Sequence, residues 1–167
     1  LAAGAELHLV PPSASLTPQT LVAYMRQAEL EQWYSVPSVL TAMAARAVLR
    51  PRDLPALKRV IWGGEAFPVD ALRYWMDMVP HATYTNAYGP TEATVNCSFH
   101  RVTAPIAPDL AAVPIGRPIP GRRLLLLDDG LAPVPRGERG ILYAGGRGLS
   151  PGYWRDVDRT RAAFIDW

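Results

Sequence analysis

The chain has 167 residues, 49% of them apolar, with a formal net charge of +2, so it can bury a core and lacks the composition of a disordered segment. Its arginines are scattered rather than striped, which argues against a nucleic-acid or membrane-surface partner, and no apolar run approaches the length of a membrane span. The single cysteine, Cys97, excludes an internal disulfide and any cysteine-based zinc site, and a cytoplasmic setting is the default expectation.

Leu1 opens the chain without a methionine, inside what reads as an ongoing pattern, and the chain is expected to be a piece of a longer protein. Glu6 to Val10 alternates polar and apolar residues and is halted by Pro11-Pro12, the pattern of a short strand. Thr17-Pro18 then starts a helix, a hydroxyl N-cap with proline at the first helical position, and Leu21, Val22, Met25 and Ala28 make its buried stripe. Gln32 to Val36 is strand-like, and Pro37-Ser38 opens a second helix through Leu40, Met43 and Ala47. Leu49 to Pro55, with two prolines and three charges, reads as a surface connection.

Lys58 to Trp62 is a further strand, ended by the Gly63-Gly64-Glu65 turn. Pro68 begins a third helix on which Val69, Leu72, Trp75, Met76 and Val79 recur at helical spacing, and Ala82 to Asn86 is the strand after it. Strand and helix alternate in this way when crossover helices join an open, mostly parallel sheet, whose ligands sit beyond the carboxyl ends of the strands. From about Pro105 the character changes. Prolines cluster, helical periodicity vanishes, and two short strands, Arg122 to Leu127 and Gly140 to Ala144, are separated by an Asp128-Asp129-Gly130 turn. Arg155 to Ile165 looks helical. The expected organisation is an α/β subdomain over 1–104 and a small β-rich, barrel-like subdomain over 105–167.

The stretch with most chemistry is Asn86-Ala87-Tyr88-Gly89-Pro90-Thr91-Glu92. Gly89-Pro90 stops the strand, with an aromatic ring, Tyr88, just ahead of it and a hydroxyl and a carboxylate, Thr91-Glu92, side by side after it. A ring can stack on a base, a hydroxyl can donate to a phosphate oxygen, and a carboxylate can hold the magnesium that accompanies phosphates. On chemistry alone an ordinary surface turn is as good a reading. Gly145-Gly146-Arg147-Gly148 lacks the Lys-Ser/Thr ending of a phosphate loop and reads as a turn, and His8, His81 and His100 read as packing or surface residues.

That seven-residue stretch resembles the adenine- and magnesium-binding signature of adenylation domains of nonribosomal peptide synthetases, within the superfamily of acyl-CoA synthetases and luciferases. Two further segments agree in order. Pro114-Ile115-Gly116-Arg117-Pro118 is similar to the family's entry to its barrel subdomain. Gly137 to Gly146 followed by Gly148 to Trp154 resembles its "GELYIGG…GLARGYW" motif, with Ile141 and Pro151 departing from the usual Glu and Arg.

The resemblance implies that Tyr88 stacks on the adenine of ATP, Asn86 bonds its exocyclic amine, and Gly64 passes close to it, with Glu65, Ala87 and Gly89 completing the nucleotide contacts. Thr91 and Glu92 are the catalytic pair it implies, Thr91 on the α-phosphate and Glu92 as the magnesium ligand. Ser38, Ile61, Gly63, Ala87, Val95 and Asn96 fall on the positions that line the acyl-substrate pocket. The reaction implied is activation of a carboxylic acid, with an amino acid favoured, as an acyl-adenylate for the thiol of a phosphopantetheine-bearing carrier protein. An acyl-CoA ligase and a non-catalytic nucleotide-binding scaffold are the alternatives. The family's phosphate loop would precede Leu1, and its ribose-binding Asp and catalytic Lys would follow Trp167, so the chain alone is not expected to turn over.

Overall fold

The computed structural model describes residues 4–103 and 105–167. The elements are α1 (Pro18–Gln27), β1 (Gln32–Ser35), α2 (Pro37–Ala45), β2 (Arg59–Gly63), α3 (Val69–Met78), β3 (Thr83–Tyr88), a 3₁₀ turn (Thr91–Ala93), β4 (Ser98–Val102), β5 (Arg117–Pro118), β6 (Arg122–Leu127), β7 (Ile141–Gly146) and α4 (Val157–Ala163). Strands β1 to β5 follow one another in a single sheet, and β6 and β7 form a second. The architecture is α/β with a parallel-containing sheet, followed by a small antiparallel one.

Residue contacts divide the chain into two compact units. Leu1–Asn86 with Arg101–Pro114 forms the first, and Ala87–His100 with Ile115–Trp167 forms the second. A single cut after residue 104 was the expectation; instead the chain changes unit inside β3, inside β4 and again after Pro114.

In the first unit, β1 and β2 pair in parallel, Trp33 opposite Val60 and Tyr34 opposite Ile61, with α2 as the crossover. Successive side chains along a strand alternate between faces. Trp33, Val60 and Trp62 are therefore buried together, while Tyr34 and Ile61 stand on the other face, half-exposed and half-buried. The core behind β2 joins Leu21, Val22 and Met25 of α1, Leu40 and Met43 of α2, and Leu72 and Trp75 of α3. Helix α1 starts where the hydroxyl-proline pair predicts. Thr17 accepts from the Thr20 amide, and the Thr20 hydroxyl accepts from the Thr17 amide, so two otherwise orphan donors are satisfied. The Tyr84 hydroxyl lies 2.8 and 3.0 Å from the carbonyl oxygens of Trp75 and Val79, tying β3 to the end of α3, and burial pushes its phenol pKa up.

Five expectations are corrected. Glu6 to Val10 is not a strand: its alternation finds no partner backbone, and Leu7 and Leu9 are exposed. Helix α2 stops at Ala45, and Ala47 lies beyond it with φ of 47°. The Leu49 to Pro55 connection is not confined to the surface: Leu49 and Leu54 are buried in the core, and Asp53 is 8% exposed. Asp53 accepts from Arg26 Nε and Nη2 at 2.8 and 2.5 Å and from the backbone amides of Arg50 and Leu54, which pulls an otherwise polar segment inward. Glycines 145 and 146 do not end β7 but belong to it, paired with Arg123 and Arg122. The last helix is shorter than Arg155 to Ile165, starting at Val157 with Asp156 as its N-cap.

In the second unit β6 and β7 pair antiparallel over six positions, from Arg122 opposite Gly146 to Leu127 opposite Ile141. Asp128 closes the turn after β6 by accepting from the amides of Gly130 and Ala132. Strand β5, too short to be read from sequence, pairs antiparallel with β4, Ser98 opposite Pro118. Gly116 has φ of +81°, and a Cβ there would collide with the Phe99 backbone, which accounts for glycine in Pro114–Pro118.

Candidate nucleotide site

The candidate site residues fall in both units. In the first, Gly63 closes β2 and Gly64 follows it with φ of +91°. A Cβ on Gly64 would meet nothing nearer than Val36 Cγ1 at 3.7 Å, so its glycine answers to backbone conformation rather than to crowding by the protein. Glu65 has a partner that sequence did not suggest. The Ser38 amide donates to its Oε2 at 3.0 Å and the Ser38 hydroxyl to its Oε1 at 3.4 Å. Helix α2 has no side-chain cap from its own N-cap residue, Val36, and the Glu65 carboxylate fills that role across 27 residues of sequence. Asn86, 8% exposed near the end of β3, donates from Nδ2 to the Pro114 carbonyl at 2.9 Å, which fixes its amide and leaves Oδ1 as its acceptor.

In the second unit β3 continues through Ala87 and Tyr88, and the chain then makes a closed loop. The Cys97 amide donates to the Tyr88 carbonyl at 2.8 Å, so residues 89–96 are held between the two. Gly89 sits where this loop folds back: a Cβ would fall against the Val95 carbonyl oxygen and 2.8 Å from the Cys97 nitrogen. Thr91 and Glu92 lie on the 3₁₀ turn, Thr91 exposed and Glu92 half-buried. Thr94 and Val95 both have positive φ, 51° and 64°, which is uncommon for β-branched residues and marks a backbone held by its surroundings. Val95 is 58% exposed and Asn96 half-buried. Cys97 is fully buried, and burial pushes its thiol pKa up, as for a packing residue rather than a nucleophile.

The Gly148–Tyr153 loop is fastened to this turn at three points. The Ser150 amide donates to the Glu92 carbonyl at 2.7 Å, the Thr94 hydroxyl donates to the Gly148 carbonyl at 2.6 Å, and the Tyr153 hydroxyl donates to Glu92 Oε1. The Tyr153 hydrogen bond is the main reason the Glu92 carboxyl lies below the usual carboxylate range, and the same bond raises the Tyr153 phenol. Tyr153 belongs to the Gly148 to Trp154 motif, and nothing in its spacing from Glu92, 61 residues away, signals the contact. Tyr88, Pro90, Glu92 and Tyr153 share a cleft of about 530 Å³ with the inward face of β6 and β7, including Leu125 and Tyr143. A groove of about 730 Å³ in the first unit, lined by Arg73, Met76, Tyr84 and Arg101, contains none of the candidate site residues.

A magnesium ion fits the donor set in one way only. Among the described residues no three His, Cys, Asp or Glu side chains cluster, so an all-protein cage is absent. A lone carboxylate such as Glu92 suits magnesium, which keeps several waters and is commonly held by one or two carboxylates together with substrate phosphates. Among the described residues no helix is long and apolar enough to cross a membrane.

A nucleotide-type signature on a strand-to-turn junction, in an α/β chain that ends in a small antiparallel sheet, defines a class, and the comparisons agree with it. The family described as AMP-binding enzyme matches residues 1–154, and the chain belongs to that family. It is similar to an L-proline--[L-prolyl-carrier protein] ligase of Streptomyces coelicolor, 38% identical over 160 residues, which cover 95% of this chain and 30% of that protein. It is also similar to the phosphinothricin tripeptide synthetase PhsC of Streptomyces viridochromogenes, 36% identical over 98% of this chain and 14% of that one. Among solved structures it resembles the Vibrio cholerae adenylation domain AlmE in complex with glycyl-adenosine-5'-phosphate, with a TM-score of 0.83 and 31% identity over 95% of this chain and 30% of that one. The chain thus spans less than a third of the length of each of these relatives.

Proposed function

We propose that this chain is part of an ATP-dependent adenylating ligase that activates an amino acid for a carrier-protein thiol. The observation that carries the reading is the strand-to-loop junction Asn86–Glu92, where a fixed amide and a half-buried ring at the end of β3 are followed by a hydroxyl and a carboxylate in the closed loop. Relatives named as a prolyl-carrier-protein ligase and as a glycyl-adenylate-bound adenylation domain favour an amino acid over a fatty or aryl acid. In the first step a substrate carboxylate oxygen bonds to the α-phosphorus of ATP, the bond from that phosphorus to the bridging oxygen breaks, and pyrophosphate leaves. In the second a thiolate attacks the acyl carbonyl and AMP departs.

The chain's own residues contribute alignment and charge. Asn86 keeps Oδ1 as an acceptor for the exocyclic amine of adenine because Pro114 occupies its Nδ2. Tyr88 offers its ring to the base, with Gly64, Ala87 and Gly89 allowing close backbone approach. Thr91 donates to an α-phosphate oxygen. Glu92 would hold magnesium, which when bound neutralises charge on the phosphate oxygens. By resemblance, Ser38, Ile61 and Gly63 in the first unit and Ala87, Val95 and Asn96 in the second are assigned to the acyl substrate, and Glu65 is tied to the first of these through the Ser38 amide. An acyl-CoA ligase of the same family is the runner-up.

Amino-acid-dependent exchange of pyrophosphate into ATP by the intact protein, with proline and glycine in the panel, tests the first step. Thioester formation on a phosphopantetheine-bearing carrier protein tests the second. Exchange driven only by fatty or aryl acids, with CoA as the acceptor, would replace the proposal by the runner-up. Absence of ATP binding by the intact protein would leave a scaffold role.

A further inference from the structure

We infer that Tyr153 is a positioning residue for Glu92, holding one carboxylate oxygen so that the other is presented as a metal donor. This rests on the reading of Glu92 as the magnesium ligand proposed above. A side chain on a short turn, half-exposed and free to rotate, would lose conformational entropy each time it took up a metal. Glu92 does not stand free. Its Oε1 accepts from the Tyr153 hydroxyl and its backbone carbonyl accepts from the Ser150 amide, so both ends of the residue are fixed by one loop.

That loop is itself anchored. The Thr94 hydroxyl holds the Gly148 carbonyl on one side. On the other, the Tyr153 amide donates to the Thr160 hydroxyl at 2.9 Å, the Arg159 guanidinium lies 4.1 Å from the Tyr153 ring centroid, and Phe164 meets that ring edge-on at 5.8 Å. Gly152 has no room for a Cβ beside Thr160, so the backbone before Tyr153 packs directly on α4. A carboxylate has about four lone-pair sites, and one donor leaves Oε2 open. Groups that hydrogen-bond to metal ligands fix their orientation, and losing one typically weakens metal affinity about 10- to 100-fold. Tyr153 thus stands to Glu92 as such a group.

The test is calorimetric titration of ATP into the intact protein, with magnesium and separately in EDTA, for the wild type, Tyr153→Phe, Glu92→Gln and the double variant. Tyr153→Phe removes one hydroxyl and keeps the ring against Arg159 and Phe164. It is expected to weaken ATP binding about tenfold in magnesium and leave it unchanged in EDTA, and to add nothing once Glu92 is Gln. A loss of equal size in both buffers, no loss, or tighter binding in magnesium would overturn the inference. If Glu92→Gln itself showed no magnesium-selective loss, the metal assignment would fall first, and the inference with it. If Tyr153→Phe did not fold, Thr94→Val, which releases Gly148 alone, is expected to give the same magnesium-selective loss at smaller size, and its absence would overturn the inference.

Discussion

Ser38 and Glu65 are joined by two hydrogen bonds from the Ser38 amide and hydroxyl, at 3.0 and 3.4 Å, which bind the start of α2 to the turn after β2. A carboxylate at a helix N-terminus both accepts an orphan amide and meets the positive end of the helix dipole. Glu65→Ala should therefore lower stability by about 1 kcal/mol, as measured by urea unfolding. In the intact protein it should also raise the Michaelis constant for the acid substrate more than that for ATP. An ATP-selective defect would instead assign Glu65 to the nucleotide.

Asp53 and Arg26 predict how stability varies in acid. The Arg26 guanidinium, with help from the Arg50 and Leu54 amides, holds the Asp53 carboxyl down to about 2, against an unfolded value of about 3.9. A depressed folded pKa contributes stability that is complete above the unfolded value and is lost as pH falls towards the folded one. Unfolding free energy should thus drop between pH 4 and about 2. Asp53→Asn should cost about 2 kcal/mol at neutral pH and flatten that part of the profile. An unchanged acid slope in the variant would show that other carboxylates set it.

Gly64 and Gly89 should respond differently to alanine. Gly64 has space but a positive φ, so Gly64→Ala should cost about 1 kcal/mol of backbone strain. Gly89 has no space, because its Cβ would meet the Val95 carbonyl and the Cys97 amide. Gly89→Ala should open the 89–96 loop and cost about 3 kcal/mol or more. Chemical denaturation of both variants, with circular dichroism as the probe, separates the two cases; equal costs would refute the distinction.

On the proposed reading, Tyr88 and Glu92 should divide nucleotide binding from rate in the intact protein. Tyr88→Ala removes a stacking face worth about 1 kcal/mol and should raise the Michaelis constant for ATP several-fold with little change in kcat. Glu92→Gln keeps the shape but loses the charge, and should lower kcat, with added magnesium restoring it only in part. Two variants that merely bound ATP less tightly, and to the same degree, would refute the division.

How much of this was legible in the residues follows from the range of the forces involved. Thr17-Pro18 fixes the start of α1 through local hydrogen bonding and a preset φ. Trp33, Val60 and Trp62 alternate with half-exposed neighbours because one face of β1 and β2 is buried. Gly89-Pro90 ends β3, and the seven residues from Asn86 to Glu92 announce a nucleotide-type loop and, through it, the family. These signals act over a few residues, so the order of residues is enough to carry them.

What the tertiary structure alone decided involves partners far apart in the chain. Glu6 to Val10 alternates correctly and is still no strand, since a strand exists only when another backbone pairs with it. The Leu49 to Pro55 segment looks like a solvated connection until Arg26, 27 residues before Asp53, draws it inward. Glu65 meets Ser38 across 27 residues, and the Tyr153 hydroxyl meets Glu92 across 61 residues. Each of these pairings is a hydrogen bond between charged or polar groups whose sequence separation carries no periodicity. Only the folded backbone brings them within the 3 Å or so over which such bonds act.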